Sequence, residues 1–217
     1  MRNYKIHFIR NGKTELNNSG AFGGCRNDVG ISTDGIKELI DLKETYDYPP
    51  VSLVYTSPMS SCLETAGIIY PDRELVVVPP FKEMDFGDFS GHTIDELKDD
   101  DNFKEWLKDA YNVAPPNGES GMDFTLRLVD AFKWLVNDMM KSETFDAAVI
   151  THGGAITTLL SGIGIPKKAP NEWMVGNGKG YTCYLNAQMW MTGGIIEVAG
   201  IAPYGVINPL FEFGEEK

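Results

Sequence analysis

The chain is short of positive charge, short of cysteine, and without any long apolar run. Lys and Arg number 19 against 31 Asp and Glu, a net charge of −12 at pH 7 with a pI near 4.6. Nucleic-acid binding needs a basic stripe that displaces counterions from phosphates, and an anionic membrane surface attracts the same kind of patch. Neither partner suits this sequence. The three cysteines, Cys25, Cys62 and Cys183, are odd in number and lack C-x-x-C spacing. That argues against a disulfide framework and a zinc site, and favours a reducing, cytoplasmic location. The opening M-R-N-Y-K-I-H-F-I-R meets the polar break Asn11-Gly12 before a signal-peptide core can form. No stretch approaches the ~20 apolar residues of a membrane span. Internal repeats and low-complexity tracts are missing too.

What is present is an ordinary globular composition, 42% hydrophobic and 23% charged over 217 residues. A chain of this length buries roughly 70% of its unfolded surface without staples, and we read residues 1–217 as a single domain. Strands are expected over 4–10, 51–56, 75–78 and 147–151, each short, β-rich and closed by turn residues. A helix follows Ser32-Thr33-Asp34, with Ile36, Leu39, Ile40 and Leu42 at helical spacing, and another runs from Ser57-Pro58 to Tyr70. The longest helix spans about Ser120 to Met140, because Phe124, Leu128, Ala131, Leu135 and Met139 form one apolar face. A helix after His152-Gly153-Gly154 ends near Gly162. Two further strands, Tyr181–Leu185 and Ile195–Ile201, are joined through Thr192-Gly193-Gly194.

Strands alternating with helices imply a three-layer α/β/α fold around a mainly parallel sheet. The segment 81–116 has a different texture, acidic, aromatic and turn-rich, and reads as a lid-like insertion over the strand ends. Its Phe81, Phe86, Phe89, Phe103, Trp106 and Tyr111 are expected to pack the insertion, some of them facing a pocket.

Chemistry concentrates where two hydrophobic strands deliver polar groups and glycine at their C-terminal ends: I-H-F-I-R-N-G-K-T-E-L-N and V-I-T-H-G-G. Ligands of open α/β sheets bind there. Glycine lets backbone N–H groups approach an anion, an arginine such as Arg10 forks onto two phosphate oxygens, and His152 can donate a hydrogen bond or shuttle a proton.

With S-P-M-S-S-C-L-E-T-A (57–66), F-K-E-M-D-F-G-D-F-S-G (81–91), P-N-G-E-S (116–120) and T-H-G-G (151–154), these motifs follow one another along nearly the whole chain. In that order they resemble the histidine phosphatase superfamily, in its phosphoglycerate-mutase-like branch, and within it the small broad-specificity and α-ribazole-phosphate phosphatases. The resemblance implies hydrolysis of a small phosphorylated metabolite through a phosphohistidine, with no metal or other cofactor. It assigns Arg10 and His152 to charge on the transferring phosphoryl group and Glu83 to proton transfer. Gly12, Thr14, Asn17, Ser61 and Gly153 fall on positions around the phosphate. Cys62 reads as core, and Arg26 as a surface residue in preference to a substrate contact.

Two positions depart from the pattern. Asn11 stands where the family has its nucleophilic histidine, and Ser61 stands where it has a second arginine. An amide nitrogen has its lone pair delocalised into the carbonyl and is no nucleophile. Ser61 carries no charge, and losing such a contact weakens phosphate binding by roughly 1.5–3 kcal/mol. His7 lies ~13 Å upstream on the same strand, too far to substitute, and His92 falls where the family has no nucleophile. A phosphatase disabled on purpose and natural decay into a non-catalytic phospho-ligand-binding or interaction protein both account for the pair. Loss of a binding arginine, which a substrate-trapping exchange would keep, weighs toward decay. Mutase activity is the poorer option, because the longer, more basic pocket region of glycolytic mutases is missing.

Overall fold

The structure, a computed structural model, describes residues 3–204. In chain order the elements are β1 (Asn3–Arg10), α1 (Glu15–Ser19), α2 (Thr33–Thr45), β2 (Leu53–Thr56), α3 (Ser60–Ile69) and β3 (Leu75–Val77). Then come α4 (Ile94–Leu97), α5 (Asp101–Lys108), α6 (Gly121–Lys141), β4 (Asp146–Thr151), α7 (Gly153–Ile163) and β5 (Gly164–Ile165). The last are β6 (Gly180–Asn186), α8 (Ala187–Gly193) and β7 (Ile196–Ala202).

The seven strands form one sheet in the order β3-β2-β4-β1-β6-β7-β5. β3, β2, β4 and β1 are mutually parallel, β5 is parallel to β7, and β6 runs antiparallel to both its neighbours. The central strands are buried on both sides, as a parallel sheet requires. On one face Ile6, Phe8, Ala147 and Val149 pack against Phe124, Leu128, Phe132 and Leu135 of α6 and against Ala155, Ile156 and Leu159 of α7. On the other, Ile9, Val54, Ala148 and Ile150 meet Leu39 of α2 and Cys62, Ala66 and Ile69 of α3. These are the three expected layers.

Local chemistry explains the main boundaries. The Ser32 hydroxyl accepts from Gly35 N at 3.0 Å to cap α2, and the Ser120 hydroxyl accepts from Asp123 N at 3.1 Å to cap α6. All five expected apolar positions of α6 are buried. The stripe read in α2 is narrower than expected: Leu39 is buried, but Ile36 and Ile40 face outward. The expected turn between the last two strands is also different. Asn186 caps α8 by accepting from Gln188 N and Met189 N, so Gly194 ends a helix in the left-handed conformation, φ 60°.

Between β3 and α6 the chain leaves the sheet. Phe89, Leu97, Phe103 and Trp106 bury one another there, joined by Phe22 and Phe86, while Phe81 belongs to the main core. Chain connections run from β1 toward β2 on one side and from β4 toward β5 on the other. The sequence-distant ends of β1 and β4 therefore lie side by side at the switch point, with Arg10 opposite Thr151. That is where an open α/β sheet leaves a crevice.

Candidate active site

The crevice is a cleft of about 140 Å³ lined by Arg10, Asn11, Thr14, Asn17, Ser61, Glu83, His152 and Gly153. β1 delivers Arg10 and Asn11, the first turn of α3 delivers Ser61, and His152 caps the link from β4 into α7. The segment beyond β3 brings Glu83. Gly12 alone of the expected set sits behind the cleft. Its N–H donates to Thr65 Oγ1 at 2.8 Å instead of facing an anion, and a Cβ there would fall 2.6 Å from Leu39.

Each group is held. Arg10 Nη1 donates to Val175 O at 2.7 Å, and the guanidinium lies against Gly153, where a Cβ would stand 3.1 Å from Nε. Burial lowers the Arg10 pKa, and nearby Glu83 opposes that shift. Asn11 donates its backbone N–H to Thr151 O at 2.8 Å and its side-chain Nδ2 to Gly12 O at 2.9 Å. The Thr14 N–H and hydroxyl both donate to Asn17 Oδ1, at 2.9 and 3.2 Å, folding α1 along the rim. Ser61 is 3% exposed at the cleft wall, too short to reach across it.

His152 Nε2 shares a hydrogen bond with Ser57 Oγ at 2.9 Å, and Cys62 Sγ lies 3.5 Å from the same nitrogen. Burial depresses the His152 pKa, with Glu83 pulling the other way, so the imidazole is neutral at pH 7. Cys62 is fully buried and its thiol pKa is pushed up by desolvation, which makes it an inert core residue. Glu83 accepts from Met84 N at 2.9 Å and from Gly154 N at 3.2 Å, a carboxylate at the positive end of α7. His7 is buried in β1 with Nδ1 2.9 Å from Thr182 Oγ1, and Arg26 is an exposed partner of Asp85, at 2.6 Å. Among the described residues no cluster of His, Cys, Asp and Glu side chains is placed to hold a metal ion.

Three residues that secure the segment around Glu83, namely Arg127, Glu119 and Thr151, carried no assigned role in the sequence. Arg127 donates through Nη1 to Pro80 O at 2.6 Å and Lys82 O at 3.0 Å, and through Nη2 to Glu83 O at 3.4 Å. The same guanidinium pairs with Glu119, whose Oε1 also accepts from Asp85 N at 2.8 Å. The available signal is positional: Arg127 stands three residues after Phe124 and four before Ala131, a charge within the apolar stripe of α6. From the sheet side, Thr151 Oγ1 donates to Phe81 O at 2.9 Å.

An arginine, an imidazole and the N-terminus of α7 thus meet in one cleft at the ends of two parallel strands. The family model of the histidine phosphatase superfamily (branch 1) matches residues 6–191, from β1 into α8. The chain belongs to that superfamily. A 2,3-bisphosphoglycerate-dependent phosphoglycerate mutase from Bartonella henselae is 30% identical over 168 residues, covering 70% of this chain and 77% of its own length. A putative alpha-ribazole-5'-P phosphatase from Escherichia coli shares the fold with a TM-score of 0.77 at 20% identity, over 91% of this chain and 95% of that one. A histidine-to-alanine mutant of phosphoserine phosphatase from Entamoeba histolytica, solved in complex with phosphoserine, superposes with a TM-score of 0.66 at 24% identity, again over 91% and 95%. Among the described residues of this superfamily member, no helix is long and apolar enough to cross a membrane.

Proposed function

We propose that the cleft binds the phosphoryl group of a small phosphorylated metabolite, and that the chain hydrolyses it at most very slowly. Asn11 carries this reading. It lies between Arg10 and Gly12 at the strand end where a superfamily member has its nucleophile, and its amide nitrogen cannot take up phosphorus. In this proposal Arg10 forks onto the phosphate, the neutral His152 donates to it, and Gly153 leaves room for the guanidinium. Glu83, which lines the same cleft, is the group that would pass a proton to the leaving oxygen. With Ser61 in place of an arginine, Arg10 is the one cation among the described residues that line the cleft. The Entamoeba mutant supports the binding half of the reading, since a fold relative that has lost a histidine holds a phosphate monoester.

The names of the sequence relatives favour a mutase as the second reading. It suffers the same loss of the histidine, and the described residues lining the space beside the cleft offer no second cation for a carboxylate. The proposal is tested by pairing a turnover assay on an aryl phosphate with calorimetric titration of inorganic phosphate. The expected result is turnover at background together with millimolar binding that disappears in Arg10→Ala. Brisk turnover by the unmodified chain overturns it.

A further inference from the structure

Next to the phosphate cleft opens a second cavity of about 490 Å³, and Arg10, Glu83 and Gly153 belong to the walls of both. Arg10 therefore stands at the junction of the cleft and this annex, within reach of a ligand that spans both. The aromatic side of the annex is built from Phe86 of the segment between β3 and α6 that covers the cleft, Trp106 at the end of α5 and Phe124 of α6. On the far side α7 closes it with the uncharged Thr157 and Thr158. Trp106 and Phe124 are buried, and the Trp106 ring is fixed against Phe103 at 5.7 Å and Phe86 at 6.2 Å between centroids. The annex is thus a preformed aromatic wall, of the size range that takes small organic ligands.

Its charge is as informative as its shape. Among the described residues lining it, Arg10 and Glu83 are the only charged ones, and both also line the smaller cleft. A carboxylate or second phosphate in the annex would give up water with no cation to replace it. An uncharged ring gives up only unfavourable hydration.

We propose that the annex receives an uncharged aromatic or apolar group, so that the ligand is a phosphomonoester bearing one anionic group and a ring or alkyl body. This rests on the phosphate reading of the cleft. It goes beyond that reading by naming the class of ester and by excluding phosphorylated hydroxy acids.

The test compares four probes by calorimetry and by chemical-shift titration: inorganic phosphate, 1-naphthyl phosphate, 3-phosphoglycerate, and 1-naphthol, which lacks the phosphate. The expectation is that 1-naphthyl phosphate binds at least about tenfold tighter than inorganic phosphate, while 3-phosphoglycerate gains nothing over it. Filling the annex from α7 with Thr157→Trp or Thr158→Phe should erase that advantage and leave inorganic phosphate unchanged. Two substitutions guard against one that disturbs folding, which thermal melts will reveal. An advantage that survives in both folded variants overturns the proposal. Equal affinity for inorganic and naphthyl phosphate overturns it too, with the cleft reading intact. Binding of 1-naphthol alone, with no phosphate compound bound, supports an apolar annex and overturns the cleft reading beneath it.

Discussion

The two walls of the cleft are built on different principles. One wall is the sheet itself: Arg10, Asn11, Ser61 and His152 stand on strand ends or first helical turns whose backbones are locked into the ladder and the core on both faces. The other wall, which carries Glu83, is irregular chain. It has its own small aromatic cluster and is tied to the scaffold through Arg127, Thr151 and Gly154. Placement on the first wall is a property of the whole fold. On the second it depends on a few side chains, each of which can be removed alone.

Arg127→Ala should give the largest effect. It leaves Glu119 and three carbonyls of the covering segment short of partners, at a cost of about 3 kcal/mol, since breaking a partly buried pair strands the remaining charge. Hydrogen exchange should rise over 80–119 while β1 and β4 stay protected. Uniform loosening of both walls would break the contrast.

Acid should act on the sheet wall instead. Burial lowers the His7 pKa from 6.5 to about 4, and burial shifts His152 in the same direction. The unfolded chain then binds more protons than the native one between these values, so stability is complete above pH 6.5 and falls as the pH drops toward 4. The His7 share is about 2–3 kcal/mol. Melting of His7→Gln against the unmodified chain over pH 4–7 should show a shallower acid slope in the variant, and identical slopes would contradict it.

Thr151→Val is the gentlest probe. It removes one hydrogen bond to Phe81 O and should cost about 1–2 kcal/mol, seen as increased exchange near Phe81 and Glu83 with the sheet unchanged.

The same contrast explains what the sequence made legible. The parallel strands, the capped helices and the residues at the strand ends follow from local signals: short β-rich runs, Ser32 and Ser120 as caps, and glycine after Arg10 and His152. The grouping of Arg10, Asn11, Ser61, Glu83 and His152 in one cleft became readable only through the order of the motifs, because no local pattern links residues so far apart. What escaped was long-range or too short to be periodic. The Arg127 staple exists only once α6 lies against the covering segment. Thr65, which takes the N–H of Gly12, is known to lie behind the cleft only after α3 packs. α8 was hidden because its closing glycines, Gly193 and Gly194, read equally well as a hairpin turn. His152 was visible as a polar group after β4. Its Ser57 partner stood within a quoted motif, but the pairing needed β2 and β4 side by side.

The most direct measurement of the central claim is turnover of an aryl phosphate by four chains: unmodified, Asn11→His, Ser61→Arg, and the double substitution. Residues that act as one catalytic unit are strongly non-additive. The prediction is background rate for the unmodified chain and for Ser61→Arg, at most a trace for Asn11→His, and recovery by orders of magnitude in the double variant. An acid-labile phosphohistidine should be trapped in that double variant. A double variant that binds phosphate through Arg10 yet forms no phosphohistidine would contradict the claim that only those two positions keep the cleft silent.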